Sequence, residues 1–281
     1  MHRSPPADIP LEDGLWALKP EGTLVLRAYG STDKGPLRKI NEDCFAIDEH
    51  LGLCAVADGM GGHNAGEVAA RMAVDAVTDY VRVAMIEGTV RGSQAQWPFG
   101  YDPSVSPAGN LLRTAVLIAH VQILDAALSV DQYSGMGTTI VVTLVSDGRL
   151  SVAHVGDSRL YVSGPRLRQL TRDDSWMVSV FAADSRADRS FLEHHPIRNA
   201  LTNVVGAGVR TDVHVIEEEL RGDARLVLTT DGVHGVLDDG SVGQLLGEGG
   251  IQAASRNLVA AALAHGSTDN CTAVVAEYQS P

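Results

Sequence analysis

The chain has 281 residues, 44% of them apolar, which supports one large domain with a sizeable core. A net charge of −13 with only three lysines, Lys19, Lys34 and Lys39, argues against a nucleic-acid or anionic-membrane surface. The three cysteines, Cys44, Cys54 and Cys271, each fall inside an apolar run, an odd and widely spaced set that reads as buried free thiols.

Residues 1–20 are rich in proline and acid and read as a flexible N-terminal extension to a single domain over 21–281. They contain no apolar core of signal-peptide length, and runs such as 258–264 are far too short to cross a bilayer, so a cytoplasmic protein without membrane insertion is predicted. From Leu24 strand patterns dominate, with a hairpin at 49–52 between apolar runs 45–47 and 53–57. A helix follows over 67–85, with Val68, Met72, Ala76, Val81 and Met85 predicted inward, and a second over 111–129, with Leu112, Val116, Ala119 and Ile123 inward. The stretch 88–109 between them, with Trp97 and Tyr101, fits neither period and is long for a structureless loop; a partner surface and a tolerated insertion fit it equally.

Beyond Gly137 the pattern is a meander of runs 139–145, 150–155, 160–162 and 167–170, joined by turns short enough to demand antiparallel neighbours. Residues 172–208 interrupt it with a mixed, polar segment that suits a helical flap. A strand ending at Thr230, helices near 242–246 and 251–264, and a last strand over 271–278 complete the chain. Two helix blocks among strand runs without regular alternation point to α+β, with helices covering antiparallel sheets.

Carboxylates recur where these strands end. Asp58-Gly59 follows the run 53–57 and opens a glycine-rich turn, Asp231-Gly232 follows 226–230, and Asp269-Asn270 precedes 271–276. Asn41-Glu42-Asp43 leads into 44–47, and Gly156-Asp157 sits between two strand runs. One Asp-Gly pair is usually only a turn. Five acidic sites gathered in one pocket would repel each other at neutral pH unless cations balanced them, and oxygen-only ligands suit Mg²⁺ or Mn²⁺ better than zinc.

Taken in order, Arg38 with Asn41-Glu42-Asp43, Asp58-Gly59-Met60-Gly61-Gly62, Gly135-Met136-Gly137-Thr138-Thr139, Gly156-Asp157-Ser158-Arg159, Thr230-Asp231-Gly232 and Asp269-Asn270 resemble the metal-dependent serine/threonine protein phosphatases of type 2C, bacterial type. The resemblance runs from about Thr23 to Tyr278. It implies a four-layer α/β/β/α sandwich of two antiparallel sheets flanked by helix pairs, with two Mn²⁺ or Mg²⁺ ions at one edge. It further implies that Asp58 bridges both ions, that the Gly59 carbonyl oxygen joins one, and that Asp231 and Asp269 complete the other. Asp43 acts through a water, Asp157 with Asp231 holds a third, weaker ion, and Arg38 grips the substrate phosphate. The implied reaction is hydrolysis of phosphoserine and phosphothreonine in proteins by a bimetal-activated water, opposing a serine/threonine kinase. Met60 stands where many eukaryotic members carry a histidine proposed as general acid, which leaves the proton donor unassigned; His63, three residues on, could serve or only hydrogen-bond within its turn, while His154 and His234 read as ordinary strand and turn residues.

Other classes fit less well. The glycine spacing after Asp58 is wrong for a dinucleotide fingerprint, no Gly-Lys pair forms a P-loop, and an H-E-x-x-H zinc site is absent. A non-catalytic phosphoprotein- or partner-binding regulator of the same fold is the remaining alternative, and it predicts a missing ligand, whereas Asp58, Asp157, Asp231 and Asp269 are all acidic.

Overall fold

The computed structural model describes residues 25–62, 65–87, 97–164, 166–184 and 186–280. The expected 1–20 extension, most of the first half of 88–109, and His63 lie outside them. Eleven strands form two antiparallel sheets. One contains β1 (Arg27–Asp33), β7 (Arg159–Val162), β8 (Arg168–Gln169), β10 (Ala224–Thr229) and β11 (Cys271–Tyr278), in the order β1-β11-β10-β7-β8. The other contains β2 (Asp43–Asp48), β3 (Leu53–Met60), β5 (Ile140–Ser146), β6 (Arg149–Val155) and β9 (His214–Glu219), in the order β2-β3-β5-β6-β9, with the short β4 (Gly137–Thr138) paired to the end of β3.

Three apolar layers hold this arrangement together. Val56, Val141, Val145, Leu226, Leu228 and Val274 meet between the sheets. Val227, Ala273 and Val275 point the other way, onto α6 (Asp239–Gly247) and α7 (Ile251–Ala264), while Ala55, Val142 and Leu144 pack under α1 (Ala65–Glu87) and α2 (Pro107–Ser129). Central strands covered on both faces read as continuous apolar runs, which is why 226–228 and 273–276 show no alternation. The result is the expected four-layer α/β/β/α sandwich.

Four local expectations need correction. The inward face of α1 is Ala69, Ala73, Val77, Val81 and Ala84, with Val68, Met72, Ala76 and Met85 only partly buried; the small side chains let the helix approach sheet and α2 closely. Helix α2 begins at Pro107, because Ser106 caps it and proline suits the first helical turn, so the loop before it is shorter than the composition indicated. This 23-residue helix is also apolar enough by length and composition to cross a membrane, contrary to the reading that no run is; it serves as a core helix, burying Leu111, Leu112, Ala115, Val116, Ala119 and Ile123.

The fourth concerns the meander. β5 pairs with β6 and β7 with β8, but β6 and β7 are not partners: the chain leaves one sheet after Val155 and enters the other at Arg159, where β7 pairs with β10. Gly156 makes the crossing possible with φ at 96°, a conformation open to glycine and strained for other residues. Asp157 sits on that crossing. The strand β9, which pairs with β6, was not anticipated.

Candidate metal centre

Each predicted acidic residue stands at the same edge of the sandwich. Asp43 begins β2 and lies directly opposite Asp58 in the β2–β3 ladder. Two like charges facing each other across a strand pair destabilise it unless something neutralises them. β3 runs on through Gly59 and Met60, so Asp58 is held by pairing on both sides rather than marking the strand end: Gly59 N donates to Glu42 O at 3.1 Å and faces Thr138 of β4. The other sheet contributes Asp231, first residue of the short helix α5 (Asp231–His234), and Asp269, just ahead of β11. Gly232 brings them together, because a Cβ there would sit 1.9 Å from the Asn270 carbonyl oxygen. Asp58 and Asp231 are close enough for the charge of one to raise the pKa of the other.

Hydroxyls and one amide fix these positions. Thr230 Oγ1 and Thr272 Oγ1 donate to Asp43 Oδ2 at 2.8 and 2.6 Å, so two threonines of one sheet hold a carboxylate of the other. Asp58 N donates to Thr139 Oγ1 at 3.0 Å, and Thr138 Oγ1 donates to Asp58 O at 2.8 Å. Asn270 accepts from Glu42 N at 2.8 Å and donates to Lys34 O and Ile40 O at 2.8 and 3.0 Å, pinning the Arg38 loop over Asp269. Arg38, about half exposed, places Nη2 2.6 Å from Asp269 Oδ2 and Nη1 4.0 Å from Glu42 Oε2.

The electrostatics are those of a cluster short of positive charge. Burial, with Asp231 and Asp269 adding to it against the two threonine hydrogen bonds, pushes Asp43 up to about 7. Burial and the nearby Asp231 and Asp173 push Asp157 up to about 7 as well. Asp58 rises well above the usual carboxylate range through burial and then Asp43, Asp231, Asp157 and Asp269, and Asp231 rises through burial and Asp269. Asp43 Oδ1 and Asp231 Oδ1 are buried without a hydrogen-bond partner. Orphaned carboxylate oxygens in an oxygen-only cluster are what a hard divalent cation would satisfy. Among the described residues no group of three or more His, Cys, Asp or Glu side chains is already drawn together into a cage that could hold a metal ion. Mg²⁺-like ions keep several waters and do not require one. The residues present therefore fit such ions.

The threonines and Asn270 are functional parts that residue types alone did not reveal. Their only signal in the sequence is adjacency, since Thr230, Thr272 and Asn270 each lie within three residues of Asp231 or Asp269. His234 and His154 keep the structural roles expected of them. His234 Nδ1 is bonded to Thr229 Oγ1 at 2.8 Å and its pKa is held well below the usual value by burial and by Arg159. His154 is buried in β6, 2% exposed. The three cysteines are free and buried, as expected.

The segment 172–208 carries two short helices, α3 (Trp176–Ala183) and α4 (Arg189–Glu193). Its entry bonds to the Asp157 turn, since Gly156 N donates to Asp174 Oδ2 at 3.0 Å. Its exit pairs Val205 with Thr138 of β4. Both roots thus adjoin the acidic edge.

Comparison with known proteins bears on family and fold. The family described as Protein phosphatase 2C matches residues 38–264. Serine/threonine protein phosphatase PstP of Mycobacterium tuberculosis is 30% identical over 261 residues, 91% of this chain and 45% of that protein, so the chain spans under half of that relative's length. The crystal structure of that bacterium's phosphatase PstP/Ppp superposes with a TM-score of 0.77 at 28% identity, covering 92% of this chain and all of that one. Serine/threonine phosphatase stp of Listeria welshimeri is 28% identical over 257 residues, 90% of this chain and 96% of that protein. The PstP catalytic domain solved with two manganese ions gives a TM-score of 0.72 at 27% identity, over 92% of this chain and all of that domain.

Proposed function

The chain belongs to the protein phosphatase 2C family, and from that premise we propose that it hydrolyses phosphoserine and phosphothreonine in proteins, with two Mn²⁺ or Mg²⁺ ions as cofactors. The observation that carries the reading is the meeting of Asp43 and Asp58 from one sheet with Asp231 and Asp269 from the other, with two of their buried oxygens left unpartnered. Asp58, the Gly59 carbonyl oxygen, Asp231 and Asp269 would hold the pair of ions, and Asp157 with Asp231 a third, weaker one. When bound, such ions supply positive charge for a phosphate dianion and lower the pKa of water from about 15.7 toward about 7.

The chain's own residues do the rest. Asp43, with Oδ2 tied to Thr230 and Thr272, keeps Oδ1 free to accept from a water in the cleft and orient it. Arg38 sits at the mouth with an exposed guanidinium whose forked donors match phosphate oxygens; its bond to Asp269 holds it there until a phosphate competes. Asn270 and Glu42 fix the loop from which Arg38 projects. A cytoplasmic setting and an opposing serine/threonine kinase complete the reading, the first supported by three unpaired buried thiols, the second by the family.

The test is hydrolysis of p-nitrophenyl phosphate and of a phosphothreonine peptide with and without Mn²⁺, in the wild type and in Asp231→Asn. Turnover that needs Mn²⁺ and disappears in the variant is expected. A folded wild type that binds Mn²⁺ and turns over neither substrate would favour a non-catalytic phosphoprotein-binding role instead.

A further inference from the structure

Asp173 and Asp174, at the root of the 172–208 segment, grip the chain crossing that carries Asp157 from either side. Asp173 takes two bonds from Arg159, to Nε at 3.0 Å and Nη2 at 2.7 Å. Asp174 holds the other end: its backbone N donates to Gly156 O at 3.0 Å while its Oδ2 accepts from Gly156 N at 3.0 Å. Asp157 is thereby flanked on both sides by residues that the segment holds.

The Asp174 carboxylate is itself oriented by residues far along the chain. Asn203 Nδ2 donates to Oδ2 at 2.8 Å, and His214 Nε2 meets Oδ1 at 2.9 Å. Asn203 Nδ2 also reaches Asp212 O at 2.7 Å, while Asn203 Oδ1 accepts from Thr211 Oγ1 at 2.9 Å. His214 lies beside His154 in the β6–β9 ladder, the rings 4.9 Å apart and 30° from parallel. So Asp174 links the entry of the segment, its exit and the edge of a sheet.

Packing supplies little of that linkage. Helix α3 is almost wholly apolar, yet none of its eight residues is fully buried. A cavity of about 410 Å³, lined by His154, His214, Val178 and Ser179 among others, separates it from β6 and β9. A segment so loosely seated is placed at its entry mainly by polar bonds, many of them made by Asp174.

We propose that Asp174 is a positioning residue that fixes the Gly156 turn, and that through this turn the placement of segment 172–208 sets how tightly Asp157 holds its cation. The inference rests on the reading of Asp157 as a ligand of the third, weaker ion. Outer partners that orient a ligand typically change metal affinity by about 10–100-fold when lost. Here the effect falls first on Asp157: the crossing reaches the paired ions only at one remove, through Ser158 Oγ bonded to Thr139 Oγ1 at 2.7 Å and Thr139 Oγ1 accepting from Asp58 N at 3.0 Å.

Mn²⁺ binding to the purified full chain, followed by calorimetry and by the electron paramagnetic resonance signal of free Mn²⁺, tests this without relying on turnover. In Asp174→Ala the weaker site loses about tenfold or more in affinity while the tighter sites stay within about twofold. Asp174→Asn, which keeps a carbonyl oxygen to accept from Gly156 N and Asn203 Nδ2 and turns its amide N–H₂ toward His214, whose other tautomer can accept, restores most of it. His214→Phe, which retains the ring beside His154 and removes the bond to Asp174, shifts the weaker site in the same direction by less, and serves if the alanine variant does not fold. Three results overturn the proposal: no weaker site in the wild type, a weaker site unchanged in the alanine and phenylalanine variants, or an equal loss at all sites. A wild type that binds Mn²⁺ in this Asp174-dependent way yet hydrolyses neither phosphate substrate would sink the catalytic reading and leave the positioning role standing.

Discussion

Replacing Gly232 by alanine pits two effects of opposite sign against each other. Gly232 lies inside helix α5, where alanine is favoured over glycine by about 1 kcal/mol in intrinsic propensity. Against this, the new Cβ would sit 1.9 Å from Asn270 O, whereas carbon–oxygen contacts settle at about 3.3–3.6 Å, so Asn270 must retreat by roughly 1.4 Å. It cannot do so alone, since its side chain bonds Glu42 N, Lys34 O and Ile40 O and its backbone N donates to Asp269 Oδ1 at 2.8 Å. Overpacking of this kind costs about 1–3 kcal/mol, which exceeds the helical gain. Asp269 moves with Asn270, and on the proposed function a ligand misplaced by about 1 Å can lower performance by about a hundredfold. Gly232→Ala is therefore expected to melt a few degrees lower in EDTA and to need at least about tenfold more Mn²⁺ for half-maximal turnover, although no carboxylate has been altered. Thermal melts and a Mn²⁺ titration of p-nitrophenyl phosphate hydrolysis measure both. A variant as stable as the wild type with the same Mn²⁺ requirement would refute the packing argument.

Thr272→Val keeps the shape of a fully buried side chain but removes its bonds to Asp43 and to Thr32 Oγ1; urea unfolding in EDTA should show a loss of about 2–3 kcal/mol, and a loss below about 0.5 would contradict the network. Acid should destabilise the protein through His154, whose pKa is pulled down to about 4 by burial and then by His214. Because the unfolded histidine titrates near 6.5, the unfolded chain takes up the proton first, so this stability is complete above about pH 6.5 and is lost progressively toward pH 4, by about 3 kcal/mol. His154→Phe should flatten urea midpoints compared at pH 7 and pH 4.5, and an unchanged slope would argue against the assignment. Saturating Mn²⁺ should stabilise the fold by about 2.7 kcal/mol at a hundredfold excess over Kd, and a melting temperature indifferent to both Mn²⁺ and chelator would remove the metal site.

The acidic residues were legible in the sequence because their chemistry is local: an aspartate beside a glycine or asparagine at the end of an apolar run needs no partner to be noticed. What escaped was non-local. The threonines that hold Asp43 look like ordinary strand residues until two sheets are stacked, and the crossing at 156–158 looks like a hairpin because a three-residue link can either reverse a strand or pass it to another sheet. Apolar periodicity placed α2, α6 and α7 well, but it set the inner face of α1 to one side of its deepest line, since alanines carry a weak apolar signal and still pack deepest where backbones approach closely. The helix start at Pro107 was lost for a similar reason, proline being read as a break although it also suits a first turn.

β11 lies between β1 and β10, so the middle of its sheet is filled by the last described strand, with Asp269 and Asn270 immediately ahead of it. During synthesis a ribosome delivers Asp43, Asp58 and Asp231 well before that strand. Until residues 269–278 emerge, β1 and β10 have no common neighbour, Asp43 lacks Thr272, and the Arg38 loop lacks its anchor. A nascent chain on this fold thus lacks a complete acidic edge until the closing strand has slotted in.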